Sequence, residues 1–169
     1  MLELIVLVAD KDTELTVRTL IEKRFQPLNV RALKFDKQQA DIIRHERHDA
    51  GTFIEAHQLL RPYVGKAERA LVMLDREGSG QEQKLSAHEM ESEIENRLVQ
   101  HGWSNEQVTA IVLDPELEIW VWSKSSHVAR VLNVNDDQLQ QVFAKYPQDA
   151  NGKPNRNYSG VVFPLILAN

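Results

Sequence analysis

The chain of 169 residues contains no cysteine. Disulfides, zinc–thiolate sites and thiol nucleophiles are excluded, and a reducing compartment is compatible with the composition. No apolar run approaches the roughly 20 residues that a membrane-spanning helix needs. The opening Met1-Leu2-Glu3 lacks the basic start of a secretory signal. There is no Gly-Lys-Ser/Thr phosphate loop after Gly78-Ser79-Gly80, no serine elbow, no internal repeat and no low-complexity tract. Basic residues are outnumbered, 20 against 25 acids, for a net charge of −5. That balance argues against a basic nucleic-acid cloak. It leaves room for a metal-assisted nuclease, in which the ion supplies the positive charge.

What the chain does have is a solid core and a pattern of acids. Hydrophobic residues make up 42%, which suits one soluble domain with a real interior. The expected setting is the cytoplasm, with no membrane partner. Three apolar runs each end in acids. Leu4-Ile5-Val6-Leu7-Val8 leads to Asp10, Asp12 and Glu14; Ala70-Leu71-Val72-Met73-Leu74 to Asp75-Arg76-Glu77-Gly78; Thr109-Ala110-Ile111-Val112-Leu113 to Asp114, Glu116 and Glu118. Unbroken apolar runs of this length read as buried parallel strands.

Residues 3–9 are the expected first strand, 12–25 a helix with an apolar face of Leu15, Leu20, Ile21 and Phe25, and 30–35 the second strand. Residues 36–51 read as a polar loop and 52–60 as a helix ending before Pro62. The third strand is 69–74, and 77–84 is an exposed loop. Ser86 with Glu89 has capping-box spacing, and the helix they open should reach Gln100 and stop at Gly102. Strand four is 109–113. Pro115 opens a short helix carrying Trp120, with further amphipathic stretches at 126–132 and 136–144, then a polar loop and a final apolar run at 161–167.

Strands alternating with helices predict an α/β, three-layer domain with a mostly parallel four-stranded central sheet and a helical C-terminal extension. The expected division is 1–122 for the core and 123–169 for the extension and tail. Parallel strands put their carboxyl ends on one edge, where ligands of open α/β sheets bind. Up to eight carboxylates would then gather there, which is costly without a cation.

Each cluster also has an ordinary explanation. Acids in a helix's first turn cap free N–H groups and complement the dipole, which covers Asp12, Glu14 and part of the Asp114 cluster. Asp75 and Glu77 are two apart, so in an extended segment they point the same way and suit one Mg²⁺. His45 and His48, three apart beside Asp49, would share a helix face; solvated histidines in a charged segment are the plainer alternative.

The segments Val6-Leu7-Val8-Ala9-Asp10-Lys11-Asp12-Thr13-Glu14 and Val72-Met73-Leu74-Asp75-Arg76-Glu77-Gly78 resemble the two acidic motifs of Toprim domains. Asp114-Pro115-Glu116-Leu117-Glu118-Ile119-Trp120 resembles the Glu-x-Trp element of small Toprim-like proteins in bacterial defence loci, and Arg44-His45-Glu46-Arg47-His48-Asp49 is similar to another segment of that subgroup. The resemblance spans residues 3–122.

It implies an α/β domain that binds Mg²⁺ or Mn²⁺ and performs phosphodiester chemistry, as do topoisomerases, primases and nucleases of the overcoming-lysogenization-defect type. Asp75 matches the first acid of the family's Asp-x-Asp pair, and Glu77 replaces the second. Ala9 stands where many members carry Glu, so Asp10 is the substitute acid. The implied metal set is Asp75, Glu77, Asp10 and Glu14, with Asp10, Asp75 and Glu77 catalytic. Lys11, Arg44 and Arg76 would meet phosphate. Asp114, Glu116 and Glu118 would support the site or hold a second ion. Nucleic acid and defence-system proteins are the implied partners. The alternative is a non-catalytic scaffold subunit that keeps the fold and binds protein partners.

Overall fold

The computed structural model describes residues 1–26, 33 and 41–114, together with Leu117, Arg130, Asn135, Asp137 and Gln141. The chain divides into two compact units, Met1–Asp114 and Pro115–Asn169. In the second unit Arg130, Asp137 and Gln141 are exposed helical positions, inside the two stretches expected to be helical. The expected second strand at 30–35, apart from Leu33, and Glu116, Glu118, Trp120 and the run at 161–167 lie outside the described residues.

The first unit is an α/β fold. Its elements are β1 (Ile5–Val8), α1 (Lys11–Arg18), β2 (Ile42–Arg44), α2 (His48–Leu60), β3 (Ala70–Asp75), α3 (Ala87–Gln100) and β4 (Val108–Leu113). The strands form one sheet in the order β2-β1-β3-β4, and every pairing is parallel. Val6 lies opposite Ile42 and Leu71, and Leu71 opposite Thr109. The strand expected at 109–113 is therefore present as β4, and those at 3–9 and 69–74 as β1 and β3.

β1 is buried at all of its positions, as a central parallel strand must be. One sheet face, built from Ile5, Leu7, Ala9, Ala70, Val72, Leu74, Val108, Ala110 and Val112, packs with Phe53, Ala56 and Leu60 of α2 and Met90, Ile94 and Leu98 of α3. The i, i+4, i+8 spacing of the α3 residues makes one stripe down that helix. α1 packs on β1 and β2. Right-handed crossovers carry it to the face opposite α2 and α3.

α3 begins and ends where its local chemistry dictates. Ser86 Oγ accepts the Glu89 N–H while the Glu89 carboxylate accepts the Ser86 N–H, the reciprocal capping box. At the other end Gly102 has φ of 107°. The Gly102 N–H donates to Val99 O and the Trp103 N–H to Leu98 O, which together form a Schellman stop.

Three expectations are corrected. β2 lies within 36–51, the stretch read as a polar loop; a three-residue strand flanked by Asp41 and His45 is too short to show periodicity. α2 starts at His48 rather than at 52. The helix read over 12–25 is α-helical only to Arg18 and continues as a π-helical turn, Thr19–Lys23. The change of period misaligns the faces before and after it. Thr13 and Val17 are the buried residues of α1, while Leu15 is 51% exposed. No helix of the described residues is long and apolar enough to cross a membrane.

β4 ends the described sheet, and two carboxylates cover its outer edge. Glu95 Oε1 accepts the Ala110 N–H at 2.9 Å and Glu91 Oε1 the Val112 N–H at 3.0 Å. Acids four apart on α3 thus match N–H groups two apart on a strand. Such occupancy blunts an edge that would otherwise template pairing with another chain. Each bond to a charged acceptor contributes about 1.5–3 kcal/mol. Replacing Glu91 and Glu95 together by Ala is expected to destabilise the fold by roughly 3–6 kcal/mol in urea denaturation and to induce self-association in light scattering. A stable, monodisperse double variant would refute this role.

Candidate functional site at the carboxyl edge of the sheet

All four strands being parallel, their carboxyl ends share one edge. β1 connects outward to β2, and from β2 the chain crosses back to β3 and on to β4. The winding therefore reverses between β1 and β3. That switch point is where open α/β sheets form a ligand crevice. Its two lips are the β1–α1 junction at Asp10 and the β3 end at Asp75.

At the first lip, Ala9 is packed in the core and its N–H bonds to Met73 O. Asp10 has an extended backbone and caps α1, with Oδ1 accepting the Thr13 N–H at 2.7 Å. Lys11 opens the helix and is exposed, as is Asp12. Glu14 is half-buried and engaged by arginines: Oε1 lies 3.1 Å from Arg18 Nε and Oε2 lies 4.0 Å from Arg44 Nη1. Arg44, closing β2, is largely exposed.

At the second lip, Asp75 is 8% exposed and Glu77 is exposed. β3 ends at Asp75 and Glu77 falls in a turn, so the extended geometry expected to align the pair stops at its first member. Gly78, with φ of 83°, supplies the left-handed residue that this turn needs. Arg76 staples the following loop. Its Nε donates to Leu85 O at 3.0 Å and Nη2 to Glu82 O at 2.6 Å, while Nη1 lies 3.5 Å from Asp114 Oδ1. These contacts occupy the guanidinium in loop structure. They also give Asp114, at the end of β4, a partner distinct from the Asp10–Asp75 pair.

One residue of this edge escaped sequence reasoning as a functional group. Asp49, in the first turn of α2, extends Oδ1 to accept the Asp75 N–H at 2.8 Å. A Cβ on Gly78 would lie 3.4 Å from Asp49 Oδ2, so the acidic turn after β3 passes closely over this carboxylate. Burial is the largest effect on Asp49 and raises its pKa above the usual 3.8. The Asp75 N–H and its own backbone oppose the rise, the Asp10 charge adds to it, and His48 lowers it slightly. Asp49 therefore joins both lips, by a hydrogen bond to one and by repulsion with the other. The only local sign was an Asp at a helix start, which ordinarily reads as a cap.

The two histidines before it do not share a helix face. His45 precedes α2 and is 6% exposed, against the expectation of a solvated ring. His48 is exposed and starts the helix with φ of 49°. Among the described residues no group of three or more His, Asp or Glu is gathered closely enough to hold a metal ion. Magnesium commonly takes only one or two carboxylates and fills its remaining positions with water and phosphate oxygens. Asp75 is buried at one lip, Asp10 is half-buried at the other, and the half-buried Asp49 is raised in pKa by burial and by the Asp10 charge. So small a set of carboxylates is compatible with that mode of binding.

Comparison with protein-family models, with curated proteins and with solved structures finds no match.

The raised pKa of Asp49 has a definite consequence for stability. Between 3.8 and its higher folded value, the folded protein holds a proton that the unfolded chain has released. Stability contributed by this group therefore falls as pH rises through that window and stays reduced above it. Asp49→Asn retains an acceptor for the Asp75 N–H without the buried charge. In denaturation with chelator present, the variant is expected to be more stable than wild type at pH 7, with the difference shrinking towards pH 3.8. A less stable variant at pH 7 would refute the electrostatic reading.

Proposed function

We propose that this protein is a Mg²⁺- or Mn²⁺-dependent, Toprim-like phosphoesterase, a nuclease component of a bacterial anti-phage defence system acting in the cytoplasm. The observation that carries the metal reading is the pair of acids, Asp10 and Asp75, at the ends of the adjacent strands β1 and β3, with Asp49 hydrogen-bonded to the Asp75 N–H and repelled by Asp10. The nuclease and defence assignments rest on the resemblance of the acidic motifs.

In this reading Asp75 and Glu77 hold the ion. Asp10 orients water or accepts its proton with the oxygen not committed to the Thr13 N–H, and Glu14 backs it from the first turn of α1. Lys11 and Arg44, exposed on the rim, meet phosphate. Arg76 shapes the loop that carries Glu77. The ion, when bound, neutralises phosphate charge and lowers the pKa of its water. Oxygen ligands and partial hydration suit Mg²⁺ or Mn²⁺ over softer metals.

A second reading, the non-catalytic scaffold subunit, is favoured by two features: Ala9 is a core residue, and Asp10 is already used as a helix cap. Calorimetric titration with Mg²⁺ and Mn²⁺, beside cleavage assays on DNA and RNA, separates the two. The enzyme reading expects saturable binding that weakens at least about tenfold in Asp75→Asn, at or beyond the loss seen when a supporting group is removed. Cleavage should fall with it. No binding by the wild-type protein would leave the scaffold reading standing.

A further inference from the structure

The approach of Asp49 to β3 depends on a short turn, Arg44 to Asp49, and the centre of that turn is a buried imidazole. His45 continues β2, its N–H donating to Val8 O at 2.9 Å. Its ring folds back under the chain that follows. Nδ1 accepts the Arg47 N–H at 2.9 Å. A ring nitrogen that accepts carries no proton, so Nε2 bears the hydrogen and donates it to Glu55 Oε2 at 3.0 Å. The other Glu55 oxygen pairs with the Arg47 guanidinium. One carboxylate from the middle of α2 thus holds both the ring and the residue that the ring engages.

The helix leaves room for this ring by omitting a side chain. A Cβ on Gly51 would overlap His45 Cε1 and Nδ1. The first turn of α2 therefore packs directly against the imidazole. Between ring and helix, His48 is forced into a left-handed conformation, costly for a residue with a side chain and maintained only where the surroundings over-determine it. Its carbonyl accepts from Thr52 Oγ1 at 2.8 Å, which fixes the same turn from the other side. The next residue is Asp49.

We infer that His45, locked as the Nε2–H tautomer by Arg47 and Glu55, is a positioning residue that sets the first turn of α2 so that Asp49 reaches the end of β3. The inference rests on the reading of this edge as the functional site, and assigns to the buried histidine the task of holding one of its walls. His45 touches neither Asp10 nor Asp75 through any of the bonds described, so it acts through Asp49.

Hydrogen exchange of the Asp75 amide reads this arm directly and needs no activity. In full-length, metal-free protein, His45→Leu removes acceptor and donor together. The Asp75 amide is expected to lose about tenfold in protection, the scale of one hydrogen bond, while the Ile94 amide in α3 is unchanged. His45→Asn restores an acceptor at the Nδ1 position and is expected to stay within about threefold of wild type. Should His45→Leu fail to fold, Glu55→Ala, which frees Nε2 and leaves the ring in place, should lower Asp75 protection selectively.

Unchanged Asp75 protection in the folded variants overturns the inference. So does equal loss at Ile94, which would mean general destabilisation. Parallel Mg²⁺ titrations keep the two proposals apart. Loss of Asp75 protection with no metal binding even in wild type upholds the positioning role and refutes the metal site. Metal binding with Asp75 protection indifferent to His45 does the reverse.

Discussion

The candidate site depends on one topological fact: β1 and β3 are hydrogen-bonded neighbours although β2 and α2 lie between them in sequence. The parallel pairing from Ile5–Ala70 to Val8–Met73 sets the two acid-bearing strand ends side by side. It also makes the winding reverse there, the place where open α/β sheets form a ligand crevice. α2 has to pass over β1 to reach β3, and this brings its first turn to the same place. The bond from the Asp75 N–H to Asp49 joins that turn to the strand end. Removing the β1–β3 pairing would leave two acidic helix starts and an acidic strand end unrelated to one another.

The acids at this edge do different work. Asp10 caps a helix, Glu14 pairs with two arginines and Asp114 faces the Arg76 guanidinium. These groups are stabilised by local N–H donors or opposite charge. Asp49 also accepts an N–H, from Asp75, but there burial, with the Asp10 charge added, outweighs it and opposes ionisation. Residues whose environment works against their charge concentrate at functional sites. The turn that holds Asp49 also contains a left-handed histidine and a glycine pressed against a buried ring. Strain and electrostatic cost thus coincide at one short segment.

Much of this fold was legible because its signals are local. Buried parallel strands are unbroken apolar runs, which β1 is and β3 is up to Asp75; β4 is largely apolar but exposes Thr109 and Ile111. α3 carries its start in Ser86 and Glu89 and its stop in Gly102. β2 was not legible, since three residues hold no period and its identity comes from the β1 neighbour. The apolar face of α1 was misjudged because a π-helical turn changes the period at Thr19. Asp10 and Asp75 were legible as strand-end acids. Asp49 and His45 were not, because their partners are remote: the Asp75 N–H lies across the sheet edge, and Glu55 is ten residues from His45, a spacing that marks no helical face.

The central claim is that the β1–β3 crevice binds a divalent cation through the acids at its lips. Paramagnetic Mn²⁺ added at substoichiometric amounts to the ¹⁵N-labelled protein tests it most directly, because relaxation broadening reports position whether or not any reaction is known. Binding in the crevice predicts early broadening of the amides of Asp10, Lys11, Asp49 and Asp75 through Gly78, with α3 amides such as Ile94 unaffected. Broadening centred on Glu91 and Glu93, or none at all, would contradict it.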